Sequence, residues 1–258
     1  GYQYFSSIYK SNHYRRSRIC WKRGGDRRSL CLSNQPMNLK IIKTSDGSDT
    51  IFNEDLNETY HSLNGSIKES ELVYIRNGLE FFLDKKTTDS VRVLEIGFGT
   101  GLNFLLTKIF IEERSEKLFY HTLEPYPLPA GLMKKINYIE KLGEDYRDIF
   151  DKSHKSRPNE TVNLNEKISF LRSDLTLESI KFSKKYDVIY FDAFAPSRQP
   201  EIWEKENLEK IYSHMNLNSI LVTYCSSGQF KRDLQIVGFD IDVLPGPVGK
   251  REMVRAVK

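Results

Sequence analysis

Residues 91–103, VRVLEIGFGTGLN, begin as a buried strand and break into glycines where a helix should start. Val91, Val93, Leu94 and Ile96 form an apolar, β-branched run with the length of a central parallel strand. Gly97, Gly99 and Gly101 admit positive φ and let a ligand lie against bare backbone. The helix expected from about Leu102 points its unpaired N–H groups at that ligand. A turn of this kind cradles a nucleotide-type cofactor, or it is a tight structural turn or the seat of another ligand.

The spacing narrows the choice. A dinucleotide fingerprint would need its third glycine at Leu102, whereas here Glu95 leads an acid-x-G-x-G-x-G run, the pattern typical of S-adenosylmethionine enzymes. The flanking pattern supplies the frame. A hairpin is expected from Met37, with LKIIKT and DTIFN around Ser45–Ser48, followed by a polar, turn-rich stretch over 54–65. Ile67, Leu72, Val73, Ile75, Leu79, Phe82 and Leu83 recur at helical spacing through about Asp84. After the glycine turn the pattern gives helix 102–113, strand 118–123, helix 129–142, a short helix plus surface loop over 144–166, and strand 167–172. Strand 186–191, a helix around 201–214, strand 219–225 and helix 226–237 follow. FDIDVL and REMVRAV are joined by PGPVGK, too short for a crossover, so they pair antiparallel. The expected class is α/β: a Rossmann-like, doubly wound sheet of the class I methyltransferase plan, mostly parallel, with an antiparallel strand at its end and a small N-terminal hairpin.

With 258 residues, 39% hydrophobic, the chain can bury one good core, expected over 37–258, with a flap and helix at 37–90 and the Rossmann-like core at 91–258. No apolar stretch approaches ~18 residues, which argues against a membrane span. Cys20, Cys31 and Cys225 are too few and scattered for a disulfide framework or a four-ligand zinc site, favouring a cytoplasmic setting and no metal. Residues 1–36 carry eight basic residues against Asp26, a balance of +7, so the whole-chain +4 leaves −3 for the rest. This segment lacks apolar periodicity and is expected to be a non-native or disordered extension. Upstream sequence ahead of the true start, an organelle-targeting segment and a nucleic-acid-binding arm all stay open for it.

In such sheets the ligand lies outside the carboxyl ends of the strands. Glu124, ending the second strand 23 residues beyond Gly101, is placed to accept from two ribose hydroxyls, unless it is a solvated strand-end acid. Asp174 ends the third strand and faces the adenine amino group, caps a helix from Leu175, or does both. Glu95 sits too early to touch adenine and is expected to organise the methionine end or the turn. The cofactor set is completed by Gly97, Gly99, Gly101 and Asn103. Asp192, ending the fourth strand, is the candidate for chemistry: methyl transfer needs a neutral, oriented amine, and a carboxylate there can hold an amine N–H and take its proton. A cap or salt bridge is the plain alternative. Phe98, Phe191, Phe194 and Tyr224 wall the pocket or belong to the core, and His61 and His121 have no visible partner.

LEIGFGTGLNF, FDAFAPSRQPEIWE, LVTYCSSGQFKRDLQIVGF and LPGPVGKREMVRA together resemble the methyltransferase of the MnmC/MnmD family, and YHSLNGSIKESELVYI resembles the family's segment before the glycine turn. The resemblance runs over nearly all of 54–258. It implies N-methylation by S-adenosylmethionine of the 5-aminomethyl group of a tRNA wobble uridine, with Tyr60, Ser62 and Glu69 closing over the cofactor. It places Asp192 as the amine-binding aspartate and Lys250 and Arg251 on the rim. The bifunctional members carry a flavin-dependent oxidase that this chain lacks, so the expectation is no FAD, a separate enzyme supplying the aminomethyl group, and a monomer. With the core at −3, any tRNA footprint must be local, and Arg198, Lys231, Arg232, Lys250, Arg251 and Arg255 are its candidates, or simply solvated charge. Two other readings remain. One is transfer to a small polyamine-like amine, for which no second acid is visible in FAPSRQP; the other is a non-catalytic RNA-binding relative.

Overall fold

A computed structural model describes residues 38–258; the basic segment 1–36 lies outside the described residues. Strands β1 (Leu39–Lys43) and β2 (Asp49–Asn53) pair antiparallel around the expected turn, in which Gly47 takes φ +80°. Burial acts to raise the Asp46 carboxyl, but hydrogen bonds from Ser48, Thr44 and the Lys68 amide outweigh it and hold it down to about 2. A two-residue strand β3 (Glu58–Thr59), not expected in the polar stretch, extends this small sheet.

The helical segment expected through Asp84 is present, but its winding is not uniform. Helix α1 (Ser66–Ser70) passes into ten residues of wider, π-helical turns (Glu71–Glu80) and then into α2 (Phe81–Lys85). Val73, Tyr74 and Ile75 are buried in succession, a wider apolar face than an α-helical stripe presents. Asn77 Nδ2 donates to the Leu72 carbonyl at 2.8 Å within the widened turns.

The main sheet has eight strands. Strand β4 (Ser90–Ile96) is central and lies parallel to β5 (Lys117–Leu123) on one side and β8 (Tyr186–Phe191) on the other. Beyond β5 come β7 (Ile168–Ser173), parallel, and β6 (Thr161–Asn163), antiparallel; beyond β8 come β9 (Met215–Thr223), β11 (Glu252–Val257) and β10 (Asp240–Pro245). Two corrections follow. The antiparallel strand β11 is inserted between β9 and β10 rather than ending the sheet, and β6 adds an antiparallel edge beside β7. Thr161–Asn163 is wholly exposed and carries no apolar alternation, so nothing in its pattern marks it as a strand.

Helix α3 (Leu102–Glu112) follows the glycine turn as expected, with Gly101 as its left-handed N-cap at φ +76°. The single helix expected over 129–142 is instead two, α4 (Ala130–Met133) and α5 (Tyr138–Leu142). The break lets Asn137 dock on the hairpin: its amide N–H donates to Asp49 Oδ2 at 3.0 Å, Nδ2 donates to Gly47 O at 2.9 Å, and Oδ1 accepts from the Asp49 amide at 2.8 Å. The short helix expected in 144–166 is α6 (Arg147–Lys155). The helix expected over 201–214 is a 3₁₀ turn at Pro200–Trp203 and then α7 (Lys205–Ser213), while α8 (Gly228–Val237) starts after the Ser227 cap. No helix follows Asp174. The crossover to β8 is a turn and loop, which removes the helix-capping reading of that residue.

Apolar side chains fill both faces of the sheet, and Leu39–Lys258 cluster as one unit. Phe98 and Phe191 belong to this packing: Phe98 meets Phe170 with ring centroids 5.7 Å apart, and Phe191 meets Trp203 at 4.6 Å. His121 also belongs to the core, and it does have partners, in Tyr186 Oη and Ser173 Oγ.

Candidate active site

The glycine turn is pressed against its surroundings. A Cβ on Gly97, where φ is +92°, would stand 2.6 Å from the Asp192 carbonyl oxygen, so the ends of β4 and β8 meet only because no side chain intervenes. A Cβ on Gly99 would meet the Tyr60 ring at 2.9 Å. Tyr60 in turn packs edge-on against Phe194, with centroids 4.9 Å apart, so the flap covers the turn.

Asp192 occupies the carboxyl end of β8, half-buried. Tyr74 Oη donates to its Oδ1 at 2.6 Å, and Asn103 Nδ2 donates to its Oδ2 at 2.7 Å. The same Asn103 nitrogen donates to Glu95 Oε1 at 3.0 Å, so one amide links both carboxyls. Burial pushes Asp192 up to about 6 although the two donors and the Lys250 charge oppose it. Glu95 is fully buried, and burial together with the neighbouring Asp192 raises it well above the usual carboxylate range. Tyr74, buried beside Asp192, is likewise raised well above 10 and remains a hydroxyl donor. The spacing of 91–103 and the strand-end position pointed to Glu95, Asn103 and Asp192. Tyr74 was missed: it stands within the buried run Val73–Ile75 and reads there as one more core side chain.

The rim comes from distant parts of the chain. Glu69 Oε2 accepts from the Ser62 amide at 2.7 Å, and its Oε1 accepts from Lys250 Nζ at 2.6 Å. Lys250 also lies 3.7 Å over the Tyr224 ring, whose hydroxyl donates to Ala193 O at 2.7 Å. Lys250 is thus a paired cation in the pocket wall. Arg198 faces Glu58 at 3.5 Å, Lys231 faces Glu252 at 3.2 Å, Arg232 donates to Gln229 at 2.8 Å, and Arg251 is almost fully exposed. Arg255 is not a surface cation: it is buried, paired with Asp242 at 2.9 Å and packed over Phe81. His61 is buried beneath the rim, and burial lowers it to about 4, so it is neutral at physiological pH.

Residues expected to hold the cofactor fit such a group on one direct observation. Asn103 Oδ1, on the first turn of α3 and buried, has no hydrogen-bond partner among the described residues, an acceptor suited to an ammonium. Glu124 ends β5 and accepts from the Gly99 amide at 2.8 Å and the Tyr126 amide at 2.9 Å, which ties it to the turn; a carboxylate has about four acceptor directions. The Glu124 amide donates to Ser173 O at 2.8 Å, which sets Asp174 beside it; Asp174 is exposed and accepts from Asn159 at 2.6 Å. A separate cleft of about 470 Å³, lined by Arg92, Lys117, Phe119 and Lys184, opens at the amino ends of the strands, away from Asp192.

The family model described as S-adenosyl-L-methionine-dependent methyltransferase matches residues 134–258. Over 212 residues the chain is 28% identical to the tRNA 5-methylaminomethyl-2-thiouridine biosynthesis bifunctional protein MnmC of Campylobacter hominis, covering 80% of this chain and 31% of that protein. It is also 28% identical over 214 residues to the protein of the same description from Leptospira interrogans, covering 80% and 33%. The chain therefore spans about a third of the length of these relatives. The crystal structure of MNMC2 from Aquifex aeolicus superposes with a TM-score of 0.69 at 22% identity, covering 86% of this chain and 71% of that chain, and shows the shared fold. Among the described residues no helix is long and apolar enough to cross a membrane, and no group of three or more His, Cys, Asp or Glu is placed to hold a metal.

Proposed function

We propose that the methyltransferase acts on tRNA, converting 5-aminomethyl-(2-thio)uridine at the wobble position to 5-methylaminomethyl-(2-thio)uridine. The observation that carries this reading is the carboxylate of Asp192, held by Tyr74 and Asn103 beside the glycine turn. S-adenosylmethionine, when bound, supplies an electrophilic methyl group. Asp192 accepts one N–H of the substrate amine and so aims the nitrogen lone pair; as the N–C bond forms, it takes the proton that the nitrogen must lose. Tyr60 and Phe194 wall the site against water, while Asn103 Oδ1, Glu124 and Asp174 serve as acceptors toward the cofactor. Glu69 is already paired with Lys250 and so is not a ready carboxylate for the far ammonium of a polyamine, which favours a tethered amine. Arg198, Lys231, Arg232 and Arg251 are the proposed phosphate contacts. The same reading holds that another enzyme supplies the aminomethyl group and that the protein works in the cytoplasm as a monomer, without FAD or metal.

The test is transfer of labelled methyl from S-adenosylmethionine to tRNA from cells lacking this protein, followed by nucleoside analysis. Label in a methylaminomethyl uridine is expected. Tight cofactor binding with no label in tRNA would overturn the substrate and send the search to small amines.

A further inference from the structure

Tyr74 sits in the π-helical stretch and is 1% exposed, its ring tilted against Tyr190 with centroids 5.2 Å apart. Widened turns inside α-helices are frequent at functional sites. Here the segment also packs tightly enough that a Cβ on Gly78 would lie 3.0 Å from Val222 and 3.3 Å from Tyr190, so Tyr74 has little freedom to swing. Its hydroxyl takes one oxygen of Asp192 and the Asn103 amide takes the other, which fixes the carboxylate plane.

We propose that Tyr74 is a positioning residue for methyl transfer, locking the Asp192 carboxylate in the orientation, and in the ionised form, that receives the substrate amine. This rests on Asp192 being the proton acceptor, as argued above. The titratable and charged groups around Asp192 are Glu95 on β4, Tyr120 on β5, Glu69 on α1, Tyr224 just after β9 and Lys250 on the loop before β11. Glu95 is raised well above the usual carboxylate range, both phenols are raised well above 10, and Glu69 and Lys250 act on Asp192 in opposite directions while pairing with each other. Against burial, the two donated hydrogen bonds are therefore the main support for the ionised carboxylate.

The experiment compares Tyr74→Phe and Asp192→Asn with the unaltered protein, using the ¹³C titration of the Asp192 carboxyl without cofactor and the pH profile of kcat/KM on tRNA. Removing one donor should raise the Asp192 midpoint from about 6 by about one pH unit. The acid limb of kcat/KM should move with it, giving a loss of about tenfold at acid pH that closes at alkaline pH. The free amine is common to both enzymes, so the displacement belongs to the protein. A fluorinated tyrosine at position 74, a stronger donor in the same ring, should move the midpoint down, and it tests the proposal even if Tyr74→Phe folds poorly. An unmoved Asp192 titration, or a loss equal at every pH, would overturn the role of Tyr74 while leaving Asp192 in place. Full activity in Asp192→Asn would instead overturn the reading of Asp192 itself.

Discussion

Lys250 Nζ donates to Glu69 Oε1 at 2.6 Å, joining the loop before β11 to α1 across 181 residues of sequence. The Glu69 side chain is only 7% exposed and that of Lys250 33%, so the pair closes the rim from both sides. Lys250→Met should strand a buried carboxylate and cost about 2 kcal/mol, a figure reduced for the partial exposure of the lysine. Urea unfolding checks this. Arg251→Met, at a side chain 94% exposed, should stay within about 0.5 kcal/mol.

Gly97→Ala tests the contact between the ends of β4 and β8. The added methyl would fall 2.6 Å from the Asp192 carbonyl at a φ of +92°. A loss of about 3 kcal/mol is expected, with weakened S-adenosylmethionine binding measured by calorimetry. An unchanged melting temperature would contradict the observed approach of the two strands.

Asp192 makes stability and activity pull in opposite directions. Its folded pKa of about 6 lies above the ordinary 3.8, so the folded state holds this proton more tightly than the unfolded chain does. The group's stabilising contribution is full below 3.8 and is lost as pH rises through 6. Asp192→Asn never ionises; it should be more stable than the unaltered protein at pH 7.5, by no more than about 3 kcal/mol, with the gain vanishing near pH 4. Its methyl transfer should fall by about 10²-fold or more while cofactor affinity holds.

Asn137→Ala removes the two side-chain hydrogen bonds, to the Asp49 amide and the Gly47 carbonyl, that help pin the hairpin to the break between α4 and α5, and leaves the backbone one to Asp49 Oδ2. A loss of about 2 kcal/mol is expected, together with faster amide exchange across 39–53. Uniform exchange behaviour in the variant would show that the flap is held elsewhere.

The strands and the glycine turn were legible because they depend on local chemistry. Val91, Val93, Leu94 and Ile96 are buried in a parallel sheet and so read as an apolar run interrupted by Arg92 and Glu95, and three glycines at alternate positions have few uses beyond close backbone approach. The alternation of strands and helices then implied the doubly wound sheet. Asp192 and Glu124 were candidates from position alone, since the carboxyl ends of such strands face the ligand.

Tertiary packing decided the rest. The helix over 129–142 splits because Asn137 gains partners 88 residues away, which no periodicity encodes. Strand β6 forms because β7 offers it an edge, and β11 enters between β9 and β10 because antiparallel pairing with both satisfies its backbone groups. Lys250 read as a free rim cation until the fold brought Glu69 and Tyr224 to it. Tyr74 read as core until the π-helical turns aimed its hydroxyl at Asp192. Sequence determined which residues are apolar, flexible or charged. Which distant charge or donor each one meets is a property of the folded chain, because hydrogen bonds and ion pairs form over a few ångströms in space and leave no periodic trace along the backbone.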